Sequence, residues 1–429
     1  MKERNTGMRL CIYEDCYENL YPISYLRPVF ELRCGRTLLR EKIERALGPA
    51  DGCFVRDALA TAWAEKLACK VNDASLISGQ DLMLVNGRAI FANVEIDRQG
   101  PEEAAMSGDE VVYARLNAAT LQKLGQKTIP GILEAAAKGL PVRQLDVTVV
   151  RFPWDLVFAN PAAIEDDFRV LGTTGRSGKF ADGAYIYGDE SQAHIADSAE
   201  IHPTAVLDTT HGPIILDEGV VVYPHTRVEG PASIGADTLL VGGKIREETS
   251  IGPVCRVGGE VEASIIHGYS NKYHDGFLGH AYIGEWVNLG ALTTNSDLKN
   301  DYSTVSVYLN GKLTDSGSMK TGAFIGDHTK TGIGTFFNTG TVVGVMCNLL
   351  GSGGPLPKFL PPFCWYFNEM IAKGTGLRSL IETARAAMDR RNVELTAADE
   401  EVMRYTYEIT KDERDKLVKR DRRKLRVRR

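Results

Sequence analysis

The sequence contains little that marks a secreted, membrane-inserted or zinc-binding protein. No stretch approaches the roughly 18 apolar residues that a membrane helix needs, and the start, MKERNTGMRLCIYED, has no apolar run of signal-peptide length. The eight cysteines form no CxxC pair and no cluster with histidine, which excludes the common zinc motifs. A net charge of -6 gives no general attraction to nucleic acid or anionic membrane. We therefore expect a cytoplasmic protein with reduced thiols, without nucleic-acid or membrane partners.

A six-residue repeat runs through the second half of the chain. Aliphatic residues recur at this spacing, and a small or β-branched residue follows most of them four positions later. The repeated positions are Ile195, Ile201, Leu207, Leu216, Val222, Val228, Ile234, Leu240, Ile251, Val257, Ala263, Ile283, Leu289, Ile325, Thr331, Phe337 and Val343. Such units build a β-helix, a triangular coil whose apolar residues point inward. The sequence predicts a left-handed parallel β-helix over residues 181–350.

Two insertions interrupt this repeat. From Ala263 to Ile283 the chain is longer than one coil by two residues, which fall around NKYHDGFLGH at 271–280. The Asn-Gly pair in YLNGKL indicates a hairpin, so residues 296–318 are expected to leave the prism. After Val343 the repeat is expected to stop, and a proline-rich stretch to cap the open end.

The segments on either side of the repeat are expected to form separate parts. Residues 1–180 alternate short apolar runs with helical patterns, which predicts a Rossmann-like α/β domain with a mostly parallel sheet. The stretch 176–191 has neither periodicity and is expected to be a linker. Residues 351–429 are expected to form the cap and a helical tail, with helices at 376–392 and 396–425.

Three segments of the first domain resemble sugar nucleotidyltransferases. These are LYPISYLRPVFELRCGRTLLREKIERAL, DLMLVNGRAIF and FPWDLVFANPAAIEDDFRVL. Followed by a β-helix, they make the whole chain resemble a divergent branch of the bifunctional N-acetylglucosamine-1-phosphate uridylyltransferase and glucosamine-1-phosphate acetyltransferase family. The resemblance implies that Arg27 contacts nucleotide phosphate and that Asn160, with Asp155 nearby, helps hold Mg²⁺.

The same resemblance implies an acetyltransferase site in the β-helix. The motif runs from Lys272 through His274, Phe277 and Asn288 to Asn295. It implies His274 as the general base, oriented by Asp275, and acetyl-CoA as co-substrate. The implied substrate contacts are Lys272, Phe277, Asn288, Arg246 and Lys320, and the implied coenzyme A contacts are Gly290, Ala291 and Asn295. Because such sites lie between neighbouring prisms, the resemblance also implies a homotrimer that binds a sugar phosphate or sugar nucleotide.

The sequence departs from the family at three points. Residues 11–20, CIYEDCYENL, contain no glycine and three acidic residues where the family has a glycine-rich phosphate loop. Asn86-Gly87-Arg88 stands where the family has its metal-binding aspartate. Phe277 replaces a tyrosine whose hydroxyl contacts the substrate phosphate, and phenylalanine cannot make that hydrogen bond.

Several alternatives therefore stay open. The first domain either transfers a nucleotidyl group to a sugar phosphate with Mg²⁺ or is a vestigial domain that binds a sugar nucleotide. The whole chain is either a sugar acyltransferase in sugar-nucleotide biosynthesis or a non-catalytic scaffold. His267 and His280, which bracket the motif, are expected to be structural. The basic C-terminus, with 11 Lys or Arg in its last 19 residues, either meets an anionic ligand or is a solvated helix end.

Overall fold

A computed structural model describes residues 7–92, 94–351 and 353–428, with side chains up to residue 423. The chain divides into two compact units. The first comprises Met1–Tyr17, Arg27–Leu32 and Thr37–Arg151, and the second comprises Glu18–Leu26, Arg33–Arg36 and Phe152–Arg429. None of the described helices is long and apolar enough to cross a membrane.

The first unit is built on a seven-stranded mixed sheet. In spatial order its strands are Lys70–Val71, Gly52–Phe54, Arg9–Tyr13, Leu82–Asn86, Glu110–Leu116, Glu103–Ser107 and Val142–Gln144. The first four run parallel, and Glu110–Leu116 lies antiparallel to its neighbours on both sides. Short strands or 3-10 turns lie at Val29–Glu31, Thr37–Leu38 and Ala74–Ile77, and helices at Leu39–Leu47, Asp57–Lys66, Ala118–Leu124 and Ile129–Gly139. The prediction of an α/β domain with a mostly parallel sheet is confirmed, since of these seven strands only Glu110–Leu116 runs against the others.

The second unit is the predicted left-handed parallel β-helix, preceded by the long helix Pro153–Leu171. Outside the prism, this unit also contains the 3-10 turns Tyr17–Leu20 (in part) and Glu190–Gln192 and the short strand Arg33–Cys34. The first face contains Lys179–Phe180, Glu200–Ile201, Val221–Val222, Leu239–Leu240, Arg256–Val257, Asn271–Lys272, Lys330–Thr331, Asn348–Leu349 and Trp365–Phe367, and ends in antiparallel Met370–Ala372. The second face contains Tyr185–Tyr187, Val206–Asp208, Arg227–Glu229, Lys244–Ile245, Glu260–Glu262, Phe277–Gly279, Thr294–Asn295 and Phe336–Phe337. The third contains Ala193–Ile195, Ile214–Leu216, Ala232–Ile234, Thr249–Ile251, Ile265–Gly268, Tyr282–Glu285, Phe324–Ile325, Val342–Val343 and Phe359–Leu360.

The interior of the prism explains why the repeat has its composition. Most predicted inward positions, from Ile195 to Val343, lie in one buried apolar cluster. Burying such side chains supplies the main driving force for this fold. One predicted position is wrong. The third-face residue Ile251 pairs with Ile266, only 15 residues later, and Val261 rather than Ala263 is the inward residue of the intervening second-face strand.

Three other boundaries differ from the predictions. The expected linker contains the strands Lys179–Phe180 and Tyr185–Tyr187, so the prism begins inside it. The strands of the prism also continue past Val343. Phe359–Leu360 and Trp365–Phe367 belong to the prism rather than to a separate cap. The tail has three helices, Leu377–Asp389, Ala397–Ile409 and Lys411–Arg428.

Arg414 of the third helix contacts the end of the second helix. Its guanidinium donates to the Tyr407 carbonyl and the Thr410 hydroxyl, which satisfies groups at the preceding helix end. The tail helix also packs inward, with Val418 buried and the Asp421 carboxylate accepting from the Ile371 amide. The basic side chains from residue 424 onward lie outside the described residues.

The predicted hairpin is confirmed. Ser306–Leu309 pairs antiparallel with Lys312–Asp315. Asn310 and Gly311 at its tip both have positive φ, 48° and 79°, as a two-residue hairpin turn requires.

Candidate functional site

Two neighbouring coils bring the predicted acetyltransferase motif together. Asn271 bridges to Asn288, and the Leu292 amide donates to the Asp275 carbonyl at 2.8 Å. Farther along, the Phe277 amide donates to the Thr294 hydroxyl at 3.3 Å. The exposed residues within 271–279 and 288–295 therefore form one continuous surface around the corner between the first and second faces. We call this surface the His274 corner.

His274 lies exposed at this corner. Its ring contacts Tyr273 edge-on, with 5.2 Å between the ring centroids. Asp275 is also exposed, and within the described residues no hydrogen bond joins its carboxylate to the imidazole. The expectation that Asp275 orients His274 therefore finds no contact in the structure, and the imidazole is open to a substrate.

Lys272 differs from its expected role as a substrate contact. It occupies an inward position, paired with Val257, and is only 2% exposed. Its ammonium donates to the carbonyl oxygens of Gly258, at 3.4 Å, and His274, at 2.5 Å. Burial lowers its pKa to about 8, although Asp275 acts in the opposite direction. Lys272 therefore supports the backbone of the His274 corner from inside the prism.

Asn295 is likewise inside the prism, and its side chain is buried. Its amide oxygen accepts from the Gly279 amide, and its amide nitrogen donates to the Gly279 carbonyl, both at 2.9 Å. Phe277 is half-buried, and its ring stands over Gly279, where a Cβ would lie 2.5 Å from the ring. These contacts fix the second-face side of the corner.

Asn288, Gly290 and Ala291 stay accessible on the next coil. Asn288 is exposed, and its amide oxygen accepts from the Asn271 amide group at 3.3 Å. The Gly290 amide donates to the Thr331 hydroxyl at 2.9 Å. No described group accepts from the Ala291 amide, so this N–H can donate to a ligand.

Arg246 and Lys320 lie close together, but both form ion pairs with glutamate side chains. Both reach the Glu262 carboxylate, Arg246 at 3.0 Å and Lys320 at 3.3 Å. Arg246 also lies within 4 Å of Glu229, Glu247 and Glu260. Because carboxylates surround these two cations, they are poorly disposed to bind a substrate phosphate.

One pair of side chains near the motif, His280 and Asp297, was not predicted from the sequence. The imidazole of His280 and the carboxylate of Asp297 are 2.8 Å apart, and both side chains are largely buried. Burial raises the pKa of Asp297, but the hydrogen bond and charge of His280 and the charge of Lys320 outweigh it and lower this pKa. His280 and Asp297 are 17 residues apart in the sequence. The same separation relates Val261 and Leu278, which pair on adjacent coils. The coil spacing is therefore the sequence signal that predicts this contact.

The first unit has its own cavity of about 470 Å³, at the carboxyl ends of the strands Arg9–Tyr13 and Gly52–Phe54. Glu14 and Asp15 line it, in the place of the missing glycine-rich loop. Arg56 contacts Glu14 at 2.9 Å, and Arg88 contacts Asp15 at 2.6 Å. Burial raises the pKa of Glu14 in spite of Arg56. The acidic residues that replace the phosphate loop are therefore neutralised by arginines of the same unit.

The residues present do not fit a magnesium ion. The amide oxygen of Asn160 accepts from the Gly35 amide and the Ser250 hydroxyl, and its nitrogen donates to the Glu248 carbonyl. Asp155 accepts from the Phe152 amide at the start of its helix. Nowhere in the described chain do three His, Cys, Asp or Glu side chains form a metal-binding group.

Two further arginines, Arg88 and Arg27, belong to the first unit. Arg88 is 1% exposed, and it contacts Glu110 at 2.9 Å in addition to Asp15. The guanidinium of Arg88 therefore already neutralises these two carboxylates. Arg27 is buried, its carbonyl accepts from Arg56, and its charge acts on Glu31. It is not among the described residues that line the cavity. Its phosphate role stays a prediction.

Comparisons with known proteins agree with both halves of the predicted resemblance. Residues 10–176 match the family model described as sugar nucleotidyl transferase. A bifunctional sugar-1-phosphate nucleotidylyltransferase/acetyltransferase of Sulfurisphaera tokodaii is 38% identical over 90 residues, which are 21% of this chain and 22% of that protein. The bifunctional protein GlmU of Cupriavidus pinatubonensis is 28% identical over 209 residues, 48% of this chain and 43% of that protein.

Among solved structures, a UDP-N-acetylglucosamine acyltransferase is similar with a TM-score of 0.25 and 16% identity, over 53% of this chain and 86% of that one. The chain spans less than half the length of the two curated relatives above. The resemblance predicted from the sequence is confirmed, since residues 10–176 match the sugar nucleotidyl transferase family model.

Proposed function

We propose that this chain is a sugar-nucleotide biosynthesis enzyme that transfers an acetyl group from acetyl-CoA to the amine of an amino-sugar phosphate. The observation that carries the proposal is the His274 corner. The exposed His274 imidazole lies on one coil. The adjacent coil carries the exposed Asn288 and the Ala291 amide, whose N–H has no acceptor among the described residues. The buried Lys272 supports this corner from inside the prism. A scaffold would not require a buried ammonium under an exposed histidine, because burying a charge is unfavourable.

The chemistry needs a base, an oxyanion donor and a leaving thiol. His274 accepts a proton from the amine while the amine nitrogen attacks the thioester carbonyl. The carbonyl oxygen then carries the negative charge, and the Ala291 N–H donates to it. When the tetrahedral intermediate collapses, the C–S bond breaks, and the coenzyme A thiolate takes the proton from the imidazolium. Imidazole suits both steps because it exchanges a proton near neutral pH.

The proposal includes a homotrimer in the cytoplasm. His274, Tyr273 and Asn288 are exposed on one prism, so a second prism would be needed to exclude water from the reacting groups. A second copy of the chain is the simplest source of that wall.

The test is product analysis. The purified protein is incubated with acetyl-CoA and a panel of hexosamine 1-phosphates and nucleotide-linked amino sugars. The masses of the products are then measured by mass spectrometry. We expect a gain of one acetyl group on an amino-sugar phosphate. The proposal fails if no acceptor of the panel is acetylated.

The first domain supports a second candidate function, the binding of a sugar nucleotide without nucleotidyl transfer. The cavity of about 470 Å³ favours binding, whereas the Arg88 contacts with Asp15 and Glu110 leave no place for a catalytic metal. We expect saturable binding of a UDP-sugar and no pyrophosphate release from UTP, sugar 1-phosphate and Mg²⁺. Release of pyrophosphate at a rate that depends on the sugar phosphate would show an active nucleotidyltransferase instead.

A further inference from the structure

A second cavity, of about 240 Å³, lies on the prism at the corner between the third and first faces. Its walls include Trp286, Asn288 and Lys330 from the β-helix and Arg390 and Arg391 from the end of the helix Leu377–Asp389. None of the residues that line it is an aspartate or a glutamate. The cavity is therefore lined by cationic groups, amides and an aromatic ring.

The cations in this cavity have no carboxylate partners among the described residues. The Lys330 ammonium donates to the carbonyl oxygens of Trp286, at 2.8 Å, and His328, at 3.0 Å. Arg391 donates only to the Asn271 amide oxygen, at 3.3 Å. Nearby, Arg256 donates to two backbone carbonyls. Hydrogen bonds to neutral oxygens satisfy the N–H groups but leave the positive charges uncompensated.

The electrostatics of the cavity reflect this excess charge. Burial lowers the pKa of Lys330 to about 8. Burial also lowers the pKa of Arg391, and the charges of Arg256 and Arg390 lower it further. An anion in the cavity would relieve this repulsion.

Capping of the helix does not account for the arginines. Backbone amides already close this helix end, since the Arg391 and Val393 amides donate to the Met388 carbonyl and the Asn392 amide donates to the Asp389 carbonyl. The guanidinium groups are therefore left for another partner. By contrast, Arg246 and Lys320, the cations expected from the sequence to bind phosphate, are surrounded by glutamates.

We propose that this cavity binds the phosphoryl group of a phosphate monoester through Lys330, Arg390 and Arg391. Two guanidinium forks and an ammonium match the several oxygens of a phosphate better than the two of a carboxylate. Asn288 lines this cavity and also belongs to the surface of the His274 corner, so a bound phosphate would lie one strand away from that corner. The inference concerns binding alone and does not rest on the proposed acetyl transfer.

The experiment is calorimetric titration of the full-length chain without turnover. The probes are inorganic phosphate, glucosamine 1-phosphate, coenzyme A and dephospho-coenzyme A. The variants are Arg390→Gln and Arg391→Gln. The matched control is Arg378→Gln, because Arg378 lies on the same helix, is 93% exposed and pairs with Glu382 outside the cavity.

We expect saturable binding of at least one phosphorylated probe, about tenfold weaker in each cavity variant and unchanged in the control. Tight binding of glucosamine 1-phosphate would identify a sugar phosphate as the source of the phosphoryl group. Binding of coenzyme A but not of its dephospho form would identify the 3′-phosphate of the coenzyme. The inference is overturned if no probe binds saturably, or if Arg390→Gln and Arg391→Gln bind as the wild type does. A protein that binds the probe but acetylates nothing would overturn only the proposed function.

Discussion

The ammonium of Lys272 donates a 2.5 Å hydrogen bond to the carbonyl oxygen of His274. The donor lies inside the prism, and the acceptor belongs to an exposed corner residue. A second, longer bond joins the same ammonium to the Gly258 carbonyl of the previous coil. The position of the exposed imidazole thus depends on a charge that solvent hardly reaches.

Replacement of this lysine should impair catalysis more than binding. In Lys272→Met the carbonyl of His274 loses its donor, so the corner is less well ordered around the base. We expect kcat for acetyl transfer to fall about tenfold or more, with KM for the acceptor little changed. Lys244→Met is the control, because Lys244 lies exposed on the second face. A purely structural role would lower the melting temperature but leave kcat of the folded fraction unchanged.

The His280 and Asp297 pair should stabilise the fold in a pH-dependent way. The pKa of Asp297 is lowered in the folded chain, so its stabilisation is present above its ordinary value of 3.8 and is lost as the pH falls below it. Asp297→Asn should reduce the free energy of unfolding by about 2 kcal/mol at neutral pH. Urea unfolding at neutral pH and below pH 3.8 measures this.

Asp109→Asn is the control for this pair, since Asp109 is exposed in a turn. The difference between wild type and Asp297→Asn should narrow in acid. An equal deficit at both pH values would show that the hydrogen bond contributes without the charge of the carboxylate.

Lys330 should affect the free energy of unfolding at alkaline pH, whereas Asp297 affects it at acidic pH. Its pKa is about 8 in the folded chain and about 10.5 when unfolded, so between these values the unfolded chain binds more protons. The free energy of unfolding should therefore rise with pH across this window, by about 3 kcal/mol relative to Lys330→Met. Chemical denaturation of both proteins from pH 8 to 10.5 measures the difference. Parallel curves for the two proteins would contradict the burial of a charged lysine, and Lys244→Met should run parallel to the wild type.

Gly322 should tolerate no side chain. A Cβ at this position would lie 1.9 Å from the Gly279 carbonyl oxygen and 2.7 Å from the Asn295 amide nitrogen. Gly322→Ala should therefore lower the free energy of unfolding by about 3 kcal/mol. Gly139→Ala is the comparison, because nothing lies within 4 Å of a Cβ there and alanine suits the end of its helix. Thermal unfolding of the two variants should shift in different directions, and equal melting temperatures would show that the neighbouring coils move apart to make room.

The sequence predicted the β-helix well because an inward position must be apolar in almost every coil. The prediction failed where coils change length, since a corner shortened by a few residues shifts the phase without changing composition. This is why Ala263 was assigned inward in place of Val261. The strands after Val343 were missed because glycine and proline dominate the corners that connect them.

The site was harder to predict because its supporting groups break the rule that defines the repeat. Lys272 and Asn295 occupy inward positions, where the pattern requires apolar side chains. Their polar atoms are satisfied by backbone groups of neighbouring coils, which a one-dimensional pattern does not reveal. Arg390 and Arg391 lie more than 50 residues along the chain from the cavity residues of the β-helix, and no periodicity relates them.

The most direct test of the account is the rate of acceptor-dependent coenzyme A release by the wild type, His274→Ala and His280→Ala. The thiol is measured with a chromogenic disulfide, using the acceptor that product analysis identifies. We predict that His274→Ala lowers kcat at least about a hundredfold, as expected for the loss of a general base, whereas His280→Ala retains most of the activity. Release by His274→Ala at the wild-type rate would contradict the claim that His274 is the base.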